Sequence, residues 1–124
     1  MVELQSGNYR EQALADWKHR MMNGWGSWYL DTENPALVFQ FENIEYDIPL
    51  EKCNTSAQIL DWVYQIYNKS WAKPNDVYNL LRAFNDIADV QHFFCSFGIE
   101  RAKGNNFKMV DRVKILYEEF LKEV

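Results

Sequence analysis

Apolar and polar residues alternate strictly in the segment 44–51. The apolar positions are Ile44, Tyr46, Ile48 and Leu50, and the intervening positions are Glu45, Asp47, Pro49 and Glu51. A period of two is typical of a β-strand that buries one face. We therefore predict a strand over 44–50 whose outward face carries carboxylates. A register shift of one residue would bury these charges, so they help to specify which face is outside.

Two upstream segments predict strands that pair with this one. Trp25 to Leu30 is short and aromatic, and turn-forming residues follow it at 31–35. A second strand is predicted from Leu37 to Phe41. Glu42 and Asn43 would then form a two-residue hairpin turn, although the favoured Asn-Gly pair is absent. The three strands together predict an antiparallel meander.

The remaining segments show the spacing of three and four residues that is typical of amphipathic helices. Asn8 and Glu11 resemble a capping pair before a helix at 9–22, and Thr55 with Gln58 has the spacing of a capping box. Further apolar stripes predict helices after Pro74, at 90–97 and at 107–124. Because helices alone follow the strands, we predict an α+β fold with an N-terminal helix and three to four later helices on one face of the sheet.

Length and composition are typical of one globular domain. The 124 residues suffice for one core but divide poorly into two, so we predict a single domain spanning 1–124. No run reaches the roughly 20 apolar residues of a membrane-spanning helix, and the N-terminus lacks the pattern of a signal peptide. We expect a cytoplasmic protein without a membrane segment.

Negative charge is concentrated in the first half of the chain. Residues 1–62 carry ten acids and four bases, whereas residues 63–124 carry eight acids and nine bases, for a total of −5. A negative chain is poorly suited to neutralising phosphates, so direct nucleic-acid binding is not expected. Carboxylates on a rigid strand can instead attract a basic protein surface. The alternative is a solvated strand that protects a sheet edge from pairing.

The residue types that serve catalysis or metal binding are sparse. His92 and Cys95 are three residues apart, but apolar neighbours of Cys95 favour an inert thiol. Asp86, Asp89 and His92 recur every three residues, yet a helix would spread the outer two too far apart for one metal. Cys53 and Cys95 form no CxxC motif, so reduced buried thiols are expected and a single disulfide is the alternative. We therefore predict no enzyme activity, no catalytic residue, no metal site and no cofactor.

Aromatic residues gather around the first predicted strand. Trp25, Trp28 and Tyr29 lie beside two glycines, and Trp17 with the basic run 18–20 precedes them. Core packing is the favoured interpretation because large rings exclude water efficiently. Stacking on nucleobases and anchoring of a protein interface are the alternatives.

These features favour a small acidic protein that binds or inhibits another protein. We expect the carboxylates of the hairpin region, together with one or two aromatic anchors, to dock on a basic protein surface such as a nucleic-acid-binding site. A nucleic-acid mimic carried by a phage or mobile element, acting against a host nuclease, fits this description. The predicted partner-binding residues are Glu42, Glu45, Asp47, Glu51, Trp28 and Tyr29.

Two other functions stay open at this point. The first is a small-molecule or peptide-binding module with an aromatic-lined pocket between the sheet and the helices. The second is an obligate homo-oligomer in which the apolar face of the helix at 107–124 completes a shared core.

Overall fold

One helix precedes a three-stranded antiparallel sheet in the computed structural model, which describes residues 2–90 and 108–118. Three helices follow the sheet within these residues. The elements are α1 (Val2–Asn23), β1 (Trp28–Asp31), β2 (Ala36–Phe41), β3 (Ile44–Pro49), a 3-10 turn (Leu50–Lys52), α2 (Ser56–Tyr67), α3 (Pro74–Ala88) and α4 (Met109–Leu116). The strands lie in the order β1-β2-β3. The predicted α+β class, with an N-terminal helix and an antiparallel meander, is confirmed.

The β2–β3 hairpin has the predicted turn and the predicted faces. Phe41 pairs with Ile44, so Glu42 and Asn43 form the two-residue turn. Glu42 has a φ of 54°, in the left-handed region that tight hairpin turns require. Along β3, Ile48 is buried whereas Glu45 and Asp47 are exposed. The alternation therefore sets the register of this strand.

Several boundaries differ from the predictions. Helix α1 begins at Val2, because the residues before Asn8 continue the helix instead of preceding a cap. The first strand begins at Trp28, because Trp25 forms an isolated bridge with Trp28 through N–O hydrogen bonds of 2.8 and 2.9 Å. A turn at Gly26, whose φ is 61°, separates the two. Strand β3 ends at Pro49, because Leu50 starts the 3-10 turn.

The capping box predicted before α2 is present. The Thr55 hydroxyl accepts a hydrogen bond from the Gln58 backbone N–H at 3.1 Å. The Gln58 side chain in turn accepts one from the Thr55 backbone N–H at 3.2 Å. Two backbone donors at the start of the helix are thus satisfied without water.

The core lies between the inner face of the sheet and the helices. Its aromatic centre contains Trp28 and Phe39, with ring centroids 5.2 Å apart, and Trp71, which stacks on Phe39 at 4.5 Å. Buried side chains from all four helices join them. An aromatic-lined pocket was one alternative for the layer between the sheet and the helices. The rings of Trp28, Phe39 and Trp71 pack against one another there. In α4, Met109 and Leu116 are buried within the same core.

Several predictions fall outside the described residues. They are the helical turns at 90–97 beyond Val90, the His92 and Cys95 pair, and the end of the helix predicted at 107–124. Among the helices that the structure describes, none combines the length and the apolar character needed to cross a bilayer.

Candidate protein-binding face of the sheet

Three of the six predicted site residues, Tyr29, Glu45 and Asp47, lie on the outer face of the sheet, which is turned away from the core. Residues directly opposite one another in antiparallel strands share a face. The register gives the outer face three rows, which are Tyr29, Val38 and Asp47; Asp31, Ala36 and Pro49; and Gln40 with Glu45. This face therefore combines one exposed ring with a series of carboxylates.

Three acidic residues line a depression at one end of this face. Asp31, Asp47 and Glu51 line an open space of about 630 Å³. The other residues around it are Asn34, Pro35, Ala36, Pro49 and Val110. Acidic groups at the rim with apolar atoms between them can receive the hydrocarbon stem and charged head of a lysine or arginine side chain. We call this feature the acidic depression.

Asp31 is a member of the acidic depression that the sequence interpretation placed in a loop. It is the last residue of β1 and lies opposite Ala36. One of its carboxylate oxygens accepts hydrogen bonds from the backbone N–H groups of Glu33 at 3.0 Å and Asn34 at 3.1 Å. This Asx turn fixes the carboxylate at the sheet end. Extending the strand by one residue and pairing it with β2 would have identified Asp31.

Glu42 and Glu45 lie at the hairpin end, apart from the lining of the acidic depression. Glu42 occupies the turn, and Glu45 lies opposite Gln40 beside it. Glu45 and Asp47 are two residues apart on one face, which places their backbones about 7 Å apart. The four predicted carboxylates thus divide between the hairpin end, with Glu42 and Glu45, and the acidic depression, with Asp47 and Glu51.

The two predicted aromatic anchors lie on opposite faces of β1. Tyr29 is 41 % exposed and belongs to the outer face beside Val38 and Asp47. Trp28 is 1 % exposed, and its indole N–H donates to the Asp76 carbonyl at 3.0 Å. Trp28 is therefore part of the core and is not accessible to a partner. The alternation of side chains along a strand makes one of two consecutive residues point inward.

Trp17, Arg20 and Trp25 converge on one buried residue, Asp86. The Trp25 indole N–H donates to its Oδ2 at 2.8 Å, and the Trp17 indole N–H donates to its backbone carbonyl at 2.9 Å. Arg20 binds the same carboxylate, and this hydrogen bond raises the pKa of the guanidinium above its ordinary value. Trp17 and Arg20 join α1 to α3, and Trp25 joins the segment before β1 to α3, so these side chains serve packing in the described structure.

Metal-ligating residue types do not converge in the described part of the chain. No group of three His, Cys, Asp or Glu side chains within residues 2–90 and 108–118 could hold a metal ion. Burial raises the pKa of the Cys53 thiol to about 12. Its Sγ lies 3.4 Å from the Pro49 carbonyl oxygen, to which the thiol donates. A thiol in this state is a poor nucleophile.

The outer face consequently offers charge-assisted hydrogen bonding at three carboxylates, apolar contact within the acidic depression and one exposed ring. Carboxylates bind ammonium and guanidinium side chains through electrostatic attraction and directed hydrogen bonds. No protein-family model, curated protein or solved structure matches this chain.

Proposed function

We propose that this chain is a small cytoplasmic protein that binds a basic surface of another protein through the outer face of its sheet. The observation that carries the proposal is the acidic depression, in which Asp31, Asp47 and Glu51 surround apolar atoms of Ala36 and Pro49. A solvated strand face needs only alternating charges. It does not require acidic residues from β1, β3 and the 3-10 turn to line the same space, as Asp31, Asp47 and Glu51 do.

A lysine or arginine side chain of the partner fits the acidic depression. Its hydrocarbon stem would contact Pro49 and Val110, and its charged head would meet the three carboxylates. Arginine has the further advantage that its planar group can bind a carboxylate through two hydrogen bonds. We infer that the docked side chain is the specific contact of the complex.

Tyr29 supplies the adjoining apolar contact. Its ring is 41 % exposed and shares a row with Asp47, so one basic segment can reach both. Tyrosine is enriched among the residues that dominate interface energies because it buries a large area with little loss of side-chain freedom. Tyr29 should therefore mainly slow dissociation, whereas the carboxylates should mainly speed association.

The biological consequence follows from the partner's chemistry. A basic surface commonly binds nucleic acid through its lysines and arginines. A protein that occupies those side chains with carboxylates would exclude the nucleic acid and thereby inhibit the partner. An antagonist of a nuclease, carried by a phage or mobile element, is one protein of this class.

Affinity capture from the native host tests the proposal. The bait proteins are wild type, the double reversal Glu45→Lys with Asp47→Lys, and the control Glu11→Lys with Asp16→Lys on α1. All four side chains are exposed, and both variants change the net charge equally. We expect wild type and the control to retain the same basic protein and the Glu45/Asp47 variant to lose it.

Salt and competition complete the test. Capture by wild type should weaken steeply as ionic strength rises, because exposed charges are screened beyond about 8–10 Å. Added nucleic acid should compete if the captured surface is a nucleic-acid-binding site. Equal capture by all three baits would contradict the proposal, because the carboxylates of the outer face would then play no part in binding.

A further inference from the structure

Helix α2 exposes a stripe of large side chains on the side that does not face the core. Leu60, Tyr64 and Tyr67 are 65, 68 and 70 % exposed. Their spacing of four and three residues places them on one side of the helix. A soluble helix usually presents charged and polar groups there. An exposed apolar stripe of this kind is typical of an interaction site.

The composition of α2 strengthens this interpretation. Asp61 is the one charged residue in its twelve-residue sequence. Depletion of charge together with enrichment in tyrosine distinguishes the centres of protein interfaces from ordinary surfaces. The chain as a whole carries a net charge of −5, so its acids are concentrated elsewhere.

We propose that the occupant of this stripe is a second copy of the same chain, with the two α2 helices packed antiparallel about a two-fold axis near Tyr64. A two-fold interface requires a surface that is complementary to itself. Leu60 lies four residues before Tyr64 and Tyr67 lies three residues after it. An antiparallel copy therefore brings Leu60 against Tyr67 of the second copy and Tyr64 against its own counterpart.

Charge favours a second copy over a strongly charged partner at this surface. Two copies of an acidic chain repel each other wherever their carboxylates meet. That cost is small at α2, where Asp61 is the single charge, and large on the outer face of the sheet. A basic partner, in contrast, would find almost no charge on α2 to pair with.

The available area agrees with a weak to moderate dimer. A buried aromatic side chain covers about 150–250 Å², so two tyrosines that are two-thirds exposed offer roughly 200–330 Å² per copy. Leu60 and the exposed flanking residues Ala57, Asp61, Gln65 and Asn68 add to this. The tyrosines of two copies therefore contribute about 400–660 Å², and the further residues bring the total toward the roughly 1,000 Å² at the low end of specific interfaces.

This dimer is independent of the proposed function. Ile66 of α2 belongs to the core on the inner side of the sheet, whereas the acidic depression includes outer-face residues. Both outer faces would stay available to a partner after α2 helices pair. Loss of dimerisation and loss of partner capture are therefore expected from different substitutions.

Sedimentation velocity over about 1–200 μM tests the dimer with the full chain. Wild type should shift from the 14.8 kDa monomer toward twice that mass as concentration rises. Tyr64→Glu places like charges at the axis and should raise the dimer dissociation constant at least about tenfold. The matched control is Tyr9→Glu on α1, where Tyr9 is 75 % exposed, and it should leave the constant unchanged.

Disulfide trapping tests the geometry. In a Cys95→Ser background, Tyr64→Cys should cross-link to its own copy rapidly, because the two-fold axis brings equal positions together. Leu60→Cys alone should cross-link slowly, and a mixture of Leu60→Cys and Tyr67→Cys chains should cross-link well. A wild type that stays monomeric throughout, or a dimer insensitive to Tyr64→Glu, would overturn the proposal. Circular dichroism of each variant verifies that the fold is retained.

Discussion

Arg20 of α1 and Asp86 of α3 form a two-point, partly buried ion pair. The guanidinium Nε donates to Asp86 Oδ2 at 2.6 Å, and Nη2 donates to Oδ1 at 3.0 Å. Asp86 is 5 % exposed, and the Trp25 indole N–H donates to the same Oδ2. Burial of a carboxylate is costly unless such partners replace water. The pair therefore fixes the N-terminal helix to the centre of the helical layer.

Replacing Asp86 with Asn should destabilise the protein by about 3 kcal/mol, because a partly buried guanidinium would lose its counter-charge. The substitution preserves the size of the side chain, so the loss reports charge and hydrogen bonding. Urea unfolding followed by tryptophan fluorescence measures it. Glu11→Gln, an exposed acid on α1, is the control and should change stability by less than about 0.5 kcal/mol. Equal effects of the two variants would show that the ion pair contributes little.

The Arg20–Asp86 pair shows where prediction from sequence stops. The alternation in β3 and the capping box at Thr55 are local patterns, and both predicted the observed structure because their partners are within a few residues. Arg20 and Asp86 are 66 positions apart, and no periodicity relates them. Only the packing of α1 on α3 brings them together.

The same limit applies to prediction of the candidate site. Alternation predicted that Glu45 and Asp47 would be exposed on one side of β3. It could not decide which of Trp28 and Tyr29 points toward the core, because the face that each side chain of β1 occupies depends on how β1 pairs with β2. The contribution of Asp31 to the acidic depression likewise depends on cross-strand register and on where α4 places Val110. These are tertiary relationships.

Glu42→Gly should stabilise the protein by about 1 kcal/mol. Glu42 has a φ of 54°, a conformation that costs non-glycine residues roughly 1–2 kcal/mol and that glycine adopts freely. Chemical denaturation measures the change. Glu42→Ala removes the same carboxylate but keeps the backbone strain, so the difference between the two variants isolates the backbone term. If the alanine variant were as stable as the glycine variant, the strain would not be the cause.

Thr55→Ala should cost about 1 kcal/mol of stability, because the Gln58 backbone N–H would lose its acceptor at the start of α2. Thr55→Ser retains the hydroxyl and should restore most of the loss. Ser56→Ala, at the adjacent exposed position, is the control. A loss in the serine variant equal to that in alanine would assign the effect to packing of the threonine methyl group and not to capping.

Cys53 predicts a specific loss of stability in alkaline solution. Burial raises the pKa of its thiol from 9.0 to about 12, so the folded state holds the proton more tightly than the unfolded state. The resulting contribution is complete below pH 9 and is lost as the pH rises from about 9 toward 12. At pH 10 the loss should be about 1.4 kcal/mol, since each pKa unit corresponds to 1.36 kcal/mol.

Urea unfolding at pH 8 and pH 10 measures this loss in the Cys95→Ser background, where Cys53 is the one thiol. The Cys53→Ala variant of that background removes the titrating group but keeps every tyrosine and lysine. Because those residues titrate in both proteins, their effects cancel in the comparison. The stability gap between the two proteins should therefore shrink as the pH rises. A gap that stays constant would mean that the Cys53 thiol ionises equally easily in the folded and unfolded states.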